Sequence, residues 1–397
     1  MPPRGEITVV VPAAGLSTRM GEFKPLMHLG GRPVLERVVE TLRLGGVGEV
    51  LVVGGHRAEE LGPLAARHGA RLVLNPDYRQ GMFSSVRAGV EALSPQCRVF
   101  LVHPVDIPLV RPTTIRTLLA AYDHGAGQVL HPTFRGQRGH PPVLAAELAP
   151  RVLAWSGRHG LAGLLADWED RAVEVPVADE YILADLDTPE HFQRLTQACR
   201  RYAIPTIDEC LALLEDVMHA GPELLAHSRA VTRLALRLTG RLNRAGCDLD
   251  PDLVAAAGLL HDLAKGQPDH ATAAARLLGG LGWSAVGAVA AEHMDLAMAP
   301  QAPLREAEVV HLADKYFQGD RPTTMDQRFA AKLAKYGSDP AAARDIQRRR
   351  ETAQAIKERM ERRLGRSLDP LINRAAEDPA EEAEHDLLAA AWADTDR

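Results

Sequence analysis

Gly15, Arg19, Gly21 and Lys24 lie close together in AAGLSTRMGEFKPL, residues 13–26, directly behind the apolar run ITVVV. The glycines let backbone N–H groups come close to an oxyanion, and Arg19 and Lys24 supply countercharge. Such a loop suits a phosphate chain. No GxGxxG and no GKS or GKT follows that run, so neither a dinucleotide fingerprint nor a Walker loop is present. Two carboxylates stand where strands are expected to end, Asp106 in RVFLVHPVD and Asp187 in DLDTPE. Hard oxygens of this kind suit Mg²⁺. Asp187 also reads as a helix cap, because Pro189 fits the first helical position.

A second group of reactive side chains occupies the other half. His227 lies in LLAHSRAV, while His261, Asp262, Lys265 and His270 share AAGLLHDLAKGQPDH. His293 follows in AAEHMD and Asp314 in LADKY. Imidazole and carboxylate donors suit Mn²⁺, Fe²⁺, Zn²⁺ or Mg²⁺ without choosing among them.

The elements that carry these residues differ between the halves. From Ile7 to about Gln197, the runs ITVVV, EVLVVGG, RLVLN, RVFLVHPVD, GQVLHP, AVEVPV and YILADLD alternate with helical patterns such as PVLERVVETLRLGG. That alternation predicts an α/β domain with a largely parallel sheet, whose ligands bind at the C-terminal strand ends. Beyond about residue 205 only helical spacing remains, and RRYAIPT, 200–206, is the expected hinge. The tail from residue 336 is highly charged and reads as a solvated helix, with a partner-binding face as the alternative.

The 397 residues suffice for two or three domains, and 46% hydrophobic with 25% charged residues is ordinary globular composition. A net charge of -6 gives no overall electrostatic footprint for nonspecific nucleic-acid binding, which leaves only local basic patches. Cys97, Cys199, Cys210 and Cys247 form no CxxC, so a reducing cytoplasm is expected. The sequence offers no signal segment and no membrane span as an expectation.

Four pieces, in order, resemble the molybdenum cofactor nucleotidyltransferase family, in particular its cytidylyltransferases. These are AAGLSTRMGEFKPL with GGRPVLERVV, NPDYRQGMFSSVRAGV, RGQRGHPPVL and DLDTPEHF. The resemblance implies a Mg²⁺-dependent transfer of a nucleotidyl group from CTP, or another NTP, to a molybdopterin-type or other phosphorylated acceptor. It makes Arg19, Lys24 and Asp106 catalytic, Asp106 and Asp187 the metal carboxylates with Asp185 beside them, and Ala13, Ala14, Gly15, Gly21, Gly81, Ser84 and Ser85 nucleotide-binding. His140 matches a family position. Where the family commonly shows an acidic GD, Ser156, Gly157, Arg158 and His159 stand instead.

The order of a histidine, a His-Asp doublet and a distant aspartate resembles the HD-domain metal-dependent phosphohydrolases. This implies metal ligation by His227, His261, Asp262 and Asp314, with Lys265 on the phosphate of the substrate; the site is either mononuclear or, with a second ion at His270 and His293, dinuclear. The expected architecture is therefore an α/β Rossmann-like nucleotidyltransferase domain (1–198), a linker (199–209), an all-α HD domain (210–335) and a charged helical extension (336–397). The alternatives are a transferase for a sugar or polyol phosphate, and an HD domain that only senses nucleotides.

Overall fold

The computed structural model describes residues 6–16, 20–299, 301–370 and 372. The chain divides into two compact units between Tyr202 and Ala203.

In the first unit, β1 (Ile7–Pro12) is buried along its whole length. A small hairpin of β2 (His28–Leu29) and β3 (Arg32–Pro33) follows, then β4 (Glu49–Gly54), β5 (Arg71–Leu74), β6 (Val99–Val102), β7 (Val129–Phe134), β8 (Gln137–Arg138), β9 (Val143–Ala145) and β10 (Val173–Pro176). The main sheet has the order β10-β7-β9-β6-β1-β4-β5, with β8 on β7. β6, β1, β4 and β5 run parallel, and the first three are valine-containing runs buried along nearly their whole length, as parallel strands covered on both faces are. The sheet is nevertheless mixed: β9 lies antiparallel between β6 and β7. Helices Val34–Leu44, Ala58–Arg67, Met82–Glu91 and Pro112–Asp123 connect the strands. Val10, Val53, Phe100, Leu144 and Trp168 belong to one core cluster.

The expected strand YILADLD does not form. Glu180–Leu183 is a 3-10 turn, because the Asp179 carboxylate caps it by accepting from Tyr181 N. The residues behind it are held singly, with Leu186 N donating to the Asp106 carbonyl at 2.8 Å.

The unit ends in an anchored residue. Arg111 donates to the Tyr202 carbonyl at 2.7 Å and lies 4.6 Å from the centre of its ring, while Tyr202 Oη donates to the Val110 carbonyl.

Among its described residues the second unit is helical except for the hairpin of β11 (Phe317–Gln318) and β12 (Arg321–Pro322). Thr206 opens it with a capping box to Glu209, and Pro222, Pro251 and Pro340 each stand at a helix start, where the missing N–H costs nothing. Helix Pro222–Arg244 packs against Pro251–Leu260 and Glu306–Asp314, and His270–Gly280 against Ser284–Ala291. The charged tail is not a merely solvated helix. Pro340–Leu364 buries Ile346, Ala353, Ile356 and Met360 against the unit, and Arg359 meets Glu308 at 2.6 Å. No helix among the described residues is long and apolar enough to cross a membrane.

Candidate active sites

At the C-terminal end of β1 the chain opens a cavity of about 330 Å³. Ala13, Ala14 and Gly15 line it from behind β1, Lys24 and Asp106 from one side, and Tyr78, Arg79, Gly81 and Ser85 from the other. Lys24 Nζ donates to Asp187 Oδ1 at 2.6 Å and to Asp106 Oδ2 at 3.4 Å, so one ammonium joins two carboxylates from distant segments. Burial pushes the Asp106 carboxyl up, and the Lys24 charge offsets only part of that rise. Asp187 is available for this contact because it is not the cap of the next helix. Thr188 is, its hydroxyl accepting from His191 N at 3.3 Å. Gly81, at φ +102, makes the turn before helix Met82–Glu91 in a region costly for L side chains. Asn75 Nδ2 donates to both Ser84 Oγ and Ser85 Oγ, which ties that helix start to the end of β5.

In the second unit Asp262, just past helix Pro251–Leu260, turns its two oxygens toward different histidines. Oδ2 lies 3.6 Å from His227 Nε2 and 3.9 Å from His261 Nε2; Oδ1 lies 3.3 Å from His293 Nε2 and 3.6 Å from His270 Nε2. The donor atoms of His227, His261 and Asp262 all fall within 4.8 Å of one another, and so do those of Asp262, His270 and His293. Asp314 completes the first group, 3.4 Å from His227 and 3.9 Å from His261.

The rings are oriented by backbone carbonyls. His227 Nδ1 meets the Gly319 carbonyl at 2.7 Å, His261 Nδ1 that of Gly258 at 2.8 Å, and His293 Nδ1 that of Ala290 at 2.6 Å. A carbonyl only accepts, so each Nδ1 carries the proton and each Nε2 is left with a lone pair, the form in which imidazole ligates metals. Gly319 supplies its carbonyl from the β11–β12 turn at φ +65. His261 Nε2 is buried and has no hydrogen-bond partner, and burial pushes its imidazole down to about 4.

The carboxylates are strongly ionised. Burial alone would raise Asp262, but the groups around it hold it below its ordinary range, among them the Lys265 ammonium that donates to its Oδ2. Burial opposes ionisation of Asp314 too and is outweighed by Lys315 and Arg328. Lys315 Nζ donates to Asp314 Oδ2 at 2.8 Å and to the His293 carbonyl at 3.0 Å, and Arg328 donates to both Asp314 oxygens at 3.1 Å. Lys265, half exposed, reaches Asp262 Oδ2 at 2.7 Å and marks the open side of the cluster.

The comparisons agree with this division. The profile of the MobA-like NTP transferase domain matches residues 9–173 and that of the HD domain residues 224–318. A nicotine blue oxidoreductase from Paenarthrobacter nicotinovorans is 33% identical over 48% of this chain and 96% of its own length. The chain belongs to the MobA-like NTP transferase family. The molybdenum cofactor cytidylyltransferase of Escherichia coli K12 is 28% identical to the MobA-like unit, over 47% of this chain and 93% of its own. A solved nucleotidyl transferase from Methanothermobacter thermautotroptrophicus is 26% identical over 49% of this chain and 98% of its own, with a TM-score of 0.42.

In the MobA-like unit, Ala13, Ala14, Gly15, Lys24, Gly81, Ser85 and Asp106 share the cavity wall. Ser84 does not line it; its one hydroxyl proton lies between the Asp77 and Gly81 carbonyls. Gly21 is also outside the lining, and Arg19 lies outside the described residues. Asp185 turns away from Lys24 toward His191, at 2.6 Å. Asp187 reaches the site from a loop behind a 3-10 turn and not from the end of a strand. Sequence reasoning missed Tyr78 and Arg79, although Arg79 is a cation within one of the quoted motifs. In the HD domain, His227, His261, Asp262, His270, His293 and Asp314 come together. The buried Lys315 and the partly buried Arg328 behind Asp314 were missed; Lys315 stood in a quoted motif, but nothing local marked Arg328.

Proposed function

We propose that the MobA-like unit transfers a nucleotidyl group from an NTP to a phosphorylated acceptor, with CTP and a molybdopterin-type acceptor as the pair its motifs favour. We propose further that the HD domain is a metal-dependent phosphohydrolase. The observation that carries the first reading is Lys24 held between Asp106 and Asp187 at the wall of a cavity whose floor is the Ala13–Gly15 backbone. Two hard carboxylates fit Mg²⁺, and Asp106 and Asp187 would hold it; when bound, the ion neutralises charge on the phosphates.

In this reading an acceptor phosphate oxygen attacks the α-phosphorus, the bond to the bridging oxygen breaks, and pyrophosphate leaves with the electron pair. Lys24 meets the charge growing on that leaving group. The backbone N–H groups of the first loop orient the phosphate chain, and Gly81 with Ser85 borders the space for nucleoside. A phosphate monoester is already largely ionised at neutral pH, so the acceptor needs no general base.

The HD reading rests on fit between donors and ion. The His261 nitrogen is buried without a partner, and three imidazoles are fixed with Nε2 exposed to the cluster. His227, His261, Asp262 and Asp314 would hold one ion, and Asp262, His270 and His293 a second. When bound, such ions activate water for attack on phosphorus. Lys265, on the open side, would meet the substrate phosphate. A sensing role alone would not call for a full set of oriented ligands.

The test is to incubate purified protein with each of the four NTPs, with molybdopterin and separately with sugar and polyol phosphates, and follow pyrophosphate release. Release with CTP and molybdopterin supports the reading; release only with a sugar or polyol phosphate moves the acceptor. One relative carries the name of an oxidoreductase, so oxidation of reduced nicotinamide is followed in the same preparation. Turnover there without pyrophosphate release overturns the transferase reading.

A further inference from the structure

Helix Pro340–Leu364 helps enclose a cavity of about 250 Å³ in the second unit. The segment Met294–Ala297, His311, Arg348, Arg349 and Thr352 line it. His311 is completely buried; its Nδ1 lies 3.4 Å from the Glu292 carbonyl and its Nε2 has no hydrogen-bond partner. Buried polar atoms are nearly always satisfied, so an orphan that lines a cavity points to a ligand that completes it.

The wall sets two arginines against one carboxylate. Arg349 closes its fork on both oxygens of Asp295, at 2.9 and 2.6 Å, and Arg348 adds a bond at 3.2 Å. Arg348 also meets Asp345 at 3.0 Å. The Asp295 side chain is 49% exposed and sits where two oxygens of a free anion would sit, since the guanidinium fork accepts carboxylate and phosphate alike.

We propose that this cavity is an oxyanion site for inorganic phosphate or a terminal phosphate group, in which Asp295 is the internal stand-in for the ligand. His311 decides between anions. Burial keeps its ring neutral, down to about 3, and with the Nδ1 proton directed at Glu292 the Nε2 atom accepts a hydrogen bond. Phosphate near neutral pH offers both anionic oxygens for the arginines and a P–O–H donor for Nε2. Sulfate has no such proton.

The site adjoins the proposed metal cluster in the chain. Asp295 lies two residues after His293, whose carbonyl is held by Lys315, and His311 bonds the carbonyl of Glu292 just before it. Phosphate that frees Asp295 therefore shifts the segment carrying His293, so a product of hydrolysis would restrain its own formation. That consequence rests on the phosphohydrolase reading; the binding does not.

The experiment is calorimetric titration of the full-length protein with phosphate and with sulfate, with and without chelator. Expected is binding of phosphate in preference to sulfate that survives chelation. It should weaken at least about 10-fold in Arg349→Met or Arg348→Met, lose its preference in His311→Gln, and tighten several-fold in Asp295→Asn. Melting curves show that each variant is folded. Equal binding of the two anions, absence of phosphate binding, or binding that vanishes with chelator and ignores Arg349→Met overturns the proposal. Metal content, measured in parallel, reports on the cluster independently.

Discussion

Leu186 donates its backbone N–H to the carbonyl oxygen of Asp106 at 2.8 Å. This main-chain bond seats the DLD segment against the loop behind β6, so the approach of Asp187 to Lys24 does not depend on the aspartate side chain. Substitutions at the three charged positions should therefore test chemistry more than folding.

Lys24→Ala, Asp106→Asn and Asp187→Asn are each expected to slow nucleotidyl transfer about 10–100-fold, the loss of roughly 1.4–2.8 kcal/mol of transition-state stabilisation. The two aspartate variants should in addition require more Mg²⁺ for half-maximal rate, whereas Lys24→Ala should not. Pyrophosphate release at varied Mg²⁺ separates the two. An Asp187→Asn enzyme with unchanged rate and Mg²⁺ dependence would remove Asp187 from the metal site.

Because Asp262 turns one oxygen to each histidine pair, metal content should fall in distinct steps. His227→Ala is expected to lose one ion per chain, His270→Ala the other, and Asp262→Ala both, together with hydrolysis. Elemental analysis beside hydrolysis of p-nitrophenyl phosphate and nucleotides checks this. Full metal content in Asp262→Ala would exclude the bridging role.

Lys315 is buried and joins Asp314 to the His293 carbonyl, so it acts on both halves of the cluster without facing substrate. Lys315→Met keeps the length of the side chain and removes both bonds. The expected result is metal affinity lower by about 10–100-fold, as for other groups that orient ligands. Arginine at this position should not restore it, because its fork cannot replace a single ammonium in the same space. Competition with a chelator measures the change.

His103 gives the MobA-like unit a pH dependence of stability. Burial, with the His140 ring as a smaller cause, pushes its pKa from 6.5 down to about 3. Above pH 6.5 both folded and unfolded forms are neutral there. As pH falls below 6.5 the unfolded chain binds a proton that the folded chain refuses until about 3, so stability is lost across that window. His103→Gln should flatten the decline seen in urea unfolding between about pH 6.5 and 4, after the offset between the proteins at pH 8 is subtracted. Parallel declines would mean that other groups set the acid limit.

The division into an α/β unit and a helical unit was legible in the sequence, because strand and helix periods are local signals. So were Lys24, Asp106, His227, His261 and Asp262, which lie in short motifs that hold their order. What escaped depends on long-range pairing. Nothing local marks Val143–Ala145 as the antiparallel strand inside a parallel sheet, and Asp187 looks like a cap until Thr188 is seen to do that work. Arg328 reaches Asp314 from the following helix, a contact without a sequence pattern. The tail was a different case. Ile346, Ala353, Ile356 and Met360 recur at helical spacing, but the surrounding arginines and glutamates hid a buried stripe.

The grip of Arg111 on Tyr202 bears on how such a protein can arise. A unit whose last residue is pinned by its own interior, through a carbonyl, a ring face and a hydroxyl, fixes its own boundary. Ala203 is then a natural point at which one gene can be joined to another, and the place where an engineer would cut to exchange the appended module.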